Sequence, residues 1–503
     1  MKKTAKKILA LLFAFAMLAM FSSCSSGEKA GDNDSTTKEE NNPAGAEAES
    51  ETAEERVYPD LEAKDFGGHE FTFASRFVDN QDWTEWKERD LFAEEQNGVV
   101  INDAVFVRNR KIEDKYNVAI KEISLLHTEF SSKVNQANKA GDDIYDAVVT
   151  GLIESSSMAQ GGSFLDLFGI PNLDLSKPWW SQGTVRDLSI MHKLFFIQGD
   201  LLILDNDAME AMIFNKTLVK EYEFENPYEL VKNGDWTFDK LIEMSKRASK
   251  DLNGDGKMYI QDDLFGCIAQ ADTNCSFIIA GGDKICGKDA DDYPIITFGS
   301  DRSYRIIDVL NEFALDEDNF INLHRFVGKF PVYDEQVIMM EENRALFSWI
   351  RMVIVERLRG METDFGIIPL PKLDKAQESY MTNNNPHTGS GLSIPVVASD
   401  VERTGMILED LCAESRYTLQ PAYYEINLRG KYARDDESQE MLDIILSNVA
   451  HDIGVVYNFG NFAGTILWYG QDKKTTYAST FEKMQGAMEK AIEKTIEAYE
   501  KLD

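Results

Sequence analysis

The sequence predicts an α/β protein, because short apolar strands and amphipathic helices alternate along most of its 503 residues. Apolar residues make up 43% of the chain and aromatic residues 11%, which is enough for a large buried core. The strand–helix alternation favours parallel βαβ units. The length is compatible with two or three domains, or with one large two-lobed unit.

The net negative charge of the chain argues against nucleic acid as a partner. The chain carries 87 acidic and 52 basic side chains, which gives a formal net charge of −35. A protein that binds nucleic acid needs a basic surface to meet the phosphates, so we expect no nucleic-acid partner. Five cysteines are too few for a disulfide-stabilised scaffold.

Hydrophobic spacing and capping residues locate the individual elements. The predicted strands are 69–74, 117–123, 145–150, 209–214, 345–349, 364–368 and 392–397. The predicted helices are 102–116, 129–140, 216–222, 238–250, 401–414, 437–449 and 479–502. Asn102 and Thr237 each precede a helical pattern and are predicted N-caps. The apolar stretch 194–203 is predicted to form a hairpin or a crossover strand pair.

The N-terminus has the parts of an export signal. Lysines within residues 2–7 precede an apolar run over 8–21, and small residues follow, so we predict that residues 1–23 are a signal peptide. The tetrapeptide FSSC, which ends at Cys24, resembles a bacterial lipobox, in which the cysteine is lipidated. Residues 24–56 are acidic and poor in large apolar side chains, and are therefore predicted to form a disordered tether.

One loop has the spacing of a calcium site. Residues 251–256 read DLNGDG, and a further aspartate stands at the twelfth position. Ca²⁺ prefers oxygen ligands, which this pattern would place around a tight turn at Gly256. The predicted ligands of a structural Ca²⁺ are Asp251, Asn253, Asp255, Lys257 through its carbonyl, Tyr259 through a carbonyl or a water, and Asp262. The alternative is a polar turn that binds no ion.

Several segments carry a family resemblance when they are taken in order. They are IFNK at 213–216, ENP at 225–227, DWTFDKL at 235–241, LFG at 264–266 after the DLNGDG loop, FGIIPLP at 365–371 and SGLSIP at 390–395. Together with the lipobox, they resemble the bacterial extracellular solute-binding proteins of family 1. The resemblance covers nearly the whole chain after the signal peptide.

The resemblance implies a cell-surface lipoprotein that serves as the receptor of an ABC-type carbohydrate importer. It would be anchored to the outer face of the cytoplasmic membrane and would contact the importer's membrane subunits. The implied fold is two-lobed, periplasmic-binding-protein-like and of type II, with chain crossovers at a hinge. By analogy, lobe 1 would hold 57–204 and 362–405, and lobe 2 would hold 205–361 and 406–503.

A sugar offers hydroxyl groups and apolar C–H faces, so a receptor site needs flat aromatic rings together with polar side chains. The site should lie between the lobes, beyond the strand ends. The candidate ligand-binding residues are Trp83, Trp86 and Trp349 for stacking, Asp146 and Asp205 as hydroxyl acceptors, and Arg351, Asn384, His387 and Tyr457. The alternatives are core packing for the aromatic residues and helix capping or surface turns for the carboxylates.

Enzyme signatures are weak, and we expect no catalytic activity. The six histidines are scattered without an H-E-x-x-H pattern, and there is no G-x-x-x-x-G-K-[ST] or G-x-S-x-G. The chain is rich in carboxylates, which leaves a lipid-anchored glycan hydrolase as an alternative. A further alternative keeps the receptor fold but binds a peptide or another small solute.

The cysteines after the lipobox show no zinc-type C-x-x-C pair. Cys267, Cys275 and Cys286 are closely spaced, and Cys412 follows much later. A disulfide between two of them and free buried thiols are both compatible with the sequence.

Overall fold

The computed structural model describes residues 56–79, 87–271, 273–429, 436–467 and 477–502. The predicted signal peptide, the tether up to residue 55, Cys24, Trp83 and Trp86 lie outside the described residues. Residues Val57–Asp503 form one compact unit.

The described chain alternates strands and helices, as predicted. The strands are β1 (His69–Phe77), β2 (Val118–Leu126), β3 (Ala147–Gly151), β4 (Glu210–Asn215), β5 (Phe265–Ala269), β6 (Cys286–Lys288), β7 (Pro294–Ile296), β8 (Phe320–Asn322), β9 (Ala345–Arg351), β10 (Phe365–Ile368), β11 (Thr382–Asn383), β12 (Ser390–Ser393) and β13 (Val449–Ala450). The α-helices are α1 (Val100–Tyr116), α2 (His127–Ala140), α3 (Leu152–Gln160), α4 (Gln182–Leu188), α5 (Leu204–Asp207), α6 (Lys216–Glu221), α7 (Pro227–Lys232), α8 (Phe238–Ala248), α9 (Thr273–Ala280), α10 (Asp301–Leu315), α11 (Val332–Glu341), α12 (Met352–Arg357), α13 (Val401–Tyr417), α14 (Leu419–Arg429), α15 (Asp436–Ser447), α16 (Ile453–Val456), α17 (Phe462–Leu467) and α18 (Tyr477–Tyr499).

Two sheets organise the fold into two lobes. The first sheet has the order β12-β3-β1-β2, with β1 parallel to both of its neighbours and β12 antiparallel to β3. The second sheet has the order β10-β4-β9-β5-β8, with β4 antiparallel to β9 and β10. We call the part around the first sheet the first lobe and the part around the second sheet the second lobe.

The second sheet is buried on both faces. Met212 and Phe214 of β4 belong to the larger hydrophobic core, whereas Ala211 and Ile213 of the same strand belong to another core on the opposite face. A strand with both faces covered needs a continuous apolar run, which is what β4 provides. This arrangement explains why the strand was recognisable from its composition.

The two predicted N-caps have different outcomes. The Thr237 hydroxyl accepts a hydrogen bond from the Lys240 amide at 3.4 Å and caps α8, as predicted. The prediction for Asn102 was wrong, because α1 begins at Val100 without a side-chain cap. The carboxylate of Asp103 instead accepts hydrogen bonds from backbone amides before the helix. Sequence spacing cannot distinguish two adjacent side chains that both suit a helix start.

The lobe boundaries differ from the predicted ones in two places. Strand β10 pairs antiparallel with β4, so the chain is still in the second lobe after residue 362. Helix α13 packs on α1 of the first lobe, where Asp410 accepts hydrogen bonds from Lys115 and Tyr116, each at 2.5 Å. Strand pairing and charge pairing between distant segments decide these assignments, and neither is visible in a local pattern.

The predicted strand pair at 194–203 does not form. Residue Ile197 makes an isolated β-bridge to Leu392, and Gly199 makes one to Trp180. A Cβ atom at Gly199 would lie 2.7 Å from the carbonyl oxygen of Trp179, so only glycine allows this close approach. Segment 194–203 is apolar because it is buried. A buried stretch of apolar residues does not have to form a strand.

Two further features concern the cysteines and the membrane. Cys267, Cys275, Cys286 and Cys412 are buried, and none of these four forms a disulfide in the structure. Among the described residues, no helix combines the length and the apolar character needed to cross a bilayer.

We predict that Asp410→Ala lowers the free energy of unfolding by about 1–3 kcal/mol, because Lys115 and Tyr116 would lose a buried acceptor. Urea unfolding followed by circular dichroism measures this. The control is Glu402→Ala, which removes a surface ion pair with Lys64 and should cost much less. Equal losses in the two variants would contradict the assignment of α13 to the first lobe.

Candidate functional site

A cavity of about 440 Å³ lies at the carboxyl end of β3. This end of an α/β sheet is where ligands bind in open α/β folds. The lining residues come from β1, the starts of α2 and α3, the β11–β12 connection and the C-terminal region; they are Arg76, His127, Ser131, Gly151, Ile153, Glu154, Ser157, Pro386, His387, Asn458, Ala463 and Gly464.

A buried guanidinium and a carboxylate dominate the polar part of the wall. Arg76 is 4% exposed and donates to the carbonyl of Thr388 at 2.6 Å. The Glu154 carboxylate accepts hydrogen bonds from the hydroxyls of Ser131 and Thr150. A Cβ atom at Gly151 would lie 2.2 Å from Nη1 of Arg76, so the glycine is what lets the guanidinium lie against the end of β3.

The first turns of two helices complete the wall on the side of the first lobe. Helix α2 begins at His127 and α3 begins at Leu152, and neither has a side-chain cap. The first backbone N–H groups of a helix have no partner inside that helix. At the start of α3 the Leu152 amide donates to the carbonyl of Gly389 at 3.0 Å, which attaches this helix start to the β11–β12 connection.

The connections between the lobes converge on a buried carboxylate. Glu210 is 1% exposed and accepts hydrogen bonds from Trp349 at 2.9 Å, Asn385 at 2.8 Å and Asn383 at 3.2 Å, and also from the Ser276 hydroxyl. These donors come from β9, the β11–β12 region and α9. A buried carboxylate with this many donors fixes the position of the chain around it.

Trp349 is a core residue and does not line this cavity. The side chain is 1% exposed, and its ring stacks on Phe277 with centroids 4.8 Å apart. Its indole N–H is used by Glu210. The apolar strand that carries Trp349 places the indole inside the lobe and away from the cavity.

Two other predicted residues also lie away from the cavity. Asp146 precedes the amino end of β3, the end opposite Gly151, and accepts hydrogen bonds from His69 at 2.9 Å and Arg403 at 3.1 Å. The Tyr457 hydroxyl is buried and lies 2.5 Å from that of Tyr499. Both side chains are held by contacts between distant parts of the chain.

The remaining described candidates lie in or near the connection between the lobes, and His387 is the one that lines the cavity. Arg351 donates to the hydroxyl of Thr388, the residue after His387. The Asn384 amide donates to the carbonyl of Asp205 at 2.7 Å, so both residues belong to the lobe connection. Trp83 and Trp86 lie outside the described residues and stay predictions.

Sequence reasoning missed the two charged residues Arg76 and Glu154 of the cavity wall. Neither belongs to a motif, whereas aromatic side chains are the usual signal of a sugar site in a sequence. The available signal was position: Arg76 stands near the end of an apolar strand, and Glu154 follows another one closely. The ends of parallel strands gather at one edge of a sheet.

Solved structures of similar fold place the chain in a structural class. They include an ABC substrate-binding protein of Listeria monocytogenes in complex with cycloalternan (TM-score 0.53, 11% identity, 84% of this chain and 99% of that one). A cyclic α-maltosyl-1,6-maltose-binding protein of Arthrobacter globiformis gives a TM-score of 0.54 at 13% identity, with 85% and 99% covered. A cyclo/maltodextrin-binding protein complexed with maltotetraose gives 0.54 at 12% identity, with 84% and 97% covered.

The fold is that of the two-lobed solute-binding proteins. The predicted α/β, type II arrangement is thereby confirmed. No protein-family model matches the chain, and a search of curated proteins finds no relative.

The DLNGDG loop of this solute-binding fold is shaped by its own side chains. The Asp251 carboxylate accepts hydrogen bonds from the amides of Gly254 at 2.6 Å and Gly256 at 2.7 Å, and these amides hold the pKa of Asp251 below its usual value. Asp262 is exposed, whereas the adjacent Asp263 is buried and accepts two backbone amides of the loop. Within the described ranges, no three His, Cys, Asp or Glu side chains form a group that could hold a metal ion.

Several buried carboxyl groups with raised pKa values lie near the segments that connect the first lobe to the second. Asp90 accepts a hydrogen bond from the amide of Ile203, and burial raises its pKa to about 6. Glu88 accepts one from the Ser390 hydroxyl, and burial together with nearby Asp90 raises its pKa well above the usual value. Burial also raises the pKa of Asp205 well above the usual value.

We predict that Asp90→Asn becomes more stable relative to the parent protein as the pH rises from 5 to 8. A pKa raised to about 6 in the folded state, against about 3.9 in an unfolded chain, means that stability is present at low pH and is lost as the pH rises through 6. The amide cannot ionise, so the gap at pH 8 should be on the order of 2 kcal/mol. Urea titrations at both pH values measure it, with exposed Asp60→Asn as the control. A pH-independent gap would contradict the buried ionisation.

Proposed function

We propose that this protein is an extracellular substrate-binding lipoprotein of an ABC importer and that it binds a carbohydrate between its two lobes. The observation that carries the proposal is the cavity of about 440 Å³ at the carboxyl end of β3, whose wall combines apolar surface with several polar and charged side chains. Small-molecule sites usually measure about 300–1,000 Å³. The titles of similarly folded proteins name cycloalternan and maltotetraose as bound ligands, which supports a carbohydrate ligand here.

The chemistry of the wall suits a neutral, hydroxyl-rich ligand. A sugar hydroxyl both donates and accepts hydrogen bonds, so it can be met by guanidinium, carboxylate, amide and imidazole groups. Arg76, Glu154, Asn458 and His387 supply these four groups around one cavity. The guanidinium and the carboxylate balance in charge, which favours a ligand without a net charge of its own.

The wall offers little for glycan cleavage. Hydrolysis of a glycosidic bond generally needs two carboxyl groups on either side of the bond. Glu154 is the one carboxylate among the described residues that line the cavity. Binding without turnover is therefore the expected activity.

The membrane anchor and the importer belong to the same proposal and rest on the sequence. The lipobox-like FSSC ending at Cys24 supports lipidation at that cysteine, and the acidic stretch 24–56 supports a tether between the lipid and the folded part. Such a receptor would deliver its ligand to the importer's membrane subunits.

Calorimetric titration against a panel of neutral oligosaccharides should find at least one ligand that binds and is recovered intact. Ser157→Trp should abolish that binding, because Ser157 is exposed and lines the cavity, where an indole would occupy the ligand's space. Ser132→Trp on exposed α2 surface is the matched control and should bind normally. Cleaved product in the mixture, or no binding by the parent to any glycan, would overturn the proposal.

We also propose that the DLNGDG loop binds a structural Ca²⁺ through Asp251, Asn253, Asp255, Lys257, Tyr259 and Asp262. The support is chemical, because carboxylate, amide and carbonyl oxygens are the ligands that Ca²⁺ prefers. Gly254 and Gly256 adopt positive φ angles of 76° and 80°, which allow the tight turn such a loop needs.

Removal of Ca²⁺ with a chelator should lower the melting temperature, because an ion bound only by the folded state stabilises it by mass action. Differential scanning calorimetry with and without chelator measures this. Asp255→Asn should reduce the chelator effect, while Asp239→Asn, on an exposed helix start, should leave it intact. A melting temperature that does not respond to chelator would exclude the ion.

A further inference from the structure

Thr388 lies in the connection between β11 and β12 and contacts side chains from both lobes. The residue is 0% exposed. Its carbonyl oxygen accepts a hydrogen bond from Nη2 of Arg76 at 2.6 Å, and its hydroxyl accepts one from Nη1 of Arg351. Arg76 stands at the carboxyl end of β1 in the first sheet, and Arg351 is the last residue of β9 in the second sheet. One threonine is thus bound by a guanidinium from each lobe.

Both guanidiniums are themselves held in place. Arg76 and Arg351 are 4% and 6% exposed, and buried charges need partners. The carboxyl groups of Glu88 and Glu154 lie near Arg76. The Arg351 guanidinium lies 5.3 Å from the centre of the Tyr333 ring, a distance typical of a cation–π contact. Because the donors cannot move freely, the position of Thr388 fixes the two strand ends relative to each other.

The same segment forms part of the cavity wall. Pro386 and His387 line the cavity immediately before Thr388, and Arg76 lines it from the first lobe. On the side of the second lobe, Asn385 donates to the buried Glu210 carboxylate at 2.8 Å. Any change in the Thr388 contacts would therefore move the wall of the cavity as well as the strand ends.

We propose that Thr388 is a positioning residue that sets the relative placement of the two lobes, through its carbonyl to Arg76 and its hydroxyl to Arg351. We call this set of contacts the Thr388 brace. The brace goes beyond ligand binding, since it acts in the protein without ligand. Its test can therefore succeed or fail independently of the proposed carbohydrate receptor function.

The test measures the distance between the lobes in the unliganded full chain. Spin labels placed at the exposed positions Lys139→Cys in the first lobe and Lys329→Cys in the second give a distance distribution by pulsed electron paramagnetic resonance. Cys24→Ser removes a competing thiol, and the other four cysteines are buried. Thr388→Val keeps the size and the carbonyl of Thr388 but removes the hydroxyl acceptor.

In Thr388→Val we expect molecules at the parent inter-label distance to become about tenfold fewer relative to molecules at other distances. The reason is that a hydrogen bond to a buried charge is lost. Thr388→Ser restores the hydroxyl and should restore the parent distribution. The matched control is Thr382→Val in the same region, since the Thr382 side chain is fully buried and its hydroxyl makes no hydrogen bond. An unchanged distribution in Thr388→Val, or the same change in Thr382→Val, would overturn the proposal.

A second variant keeps the test decisive if Thr388→Val does not fold. Arg351→Lys retains the positive charge but loses the planar guanidinium fork that reaches the hydroxyl. It should broaden the distance distribution in the same direction, with a melting temperature near that of the parent. A distribution identical to the parent's in folded Arg351→Lys would also overturn the proposal.

Discussion

A carboxylate buried between the two sheets needs hydrogen-bond donors around it, and this constraint shapes the rest of the molecule. The Glu210 carboxylate at the start of β4 is buried and accepts hydrogen bonds from Asn383, Asn385, Trp349 and Ser276. An unpaired buried carboxylate would cost several kcal/mol. Because the donors come from three separate segments, meeting this requirement also fixes how those segments lie together.

The same requirement operates on the side of the first lobe. Asp90 accepts the amide of Ile203 where the chain leaves the first lobe, and Glu88 accepts the hydroxyl of Ser390 where it returns. Burial raises the pKa of both carboxyl groups, which reduces the cost of keeping them away from water. The chain is strongly acidic as a whole, yet at this point its carboxyl groups serve as hydrogen-bond partners.

The cavity follows from where these connections lie. Arg76 stands near the end of β1, Glu154 lies in the first turn of α3, and His387 belongs to the β11–β12 connection. A ligand in this space would touch the first lobe and the connection together. Relative movement of two lobes around a shared cleft is the way in which solute-binding folds close on a ligand.

The sequence by itself determined the α/β class, the order of most strands and helices, and the resemblance to solute-binding proteins, because hydrophobic periodicity and cap residues such as Thr237 are local signals. It did not determine that Trp349 is a core residue or that Arg76 and Glu154 belong to the cavity wall. Nor did it determine that Asp146 pairs with Arg403 at the amino end of β3, opposite the cavity. Those outcomes depend on which distant segments meet. Only the tertiary structure decides them, because a side chain's partner can be hundreds of residues away, as Arg403 is from Asp146.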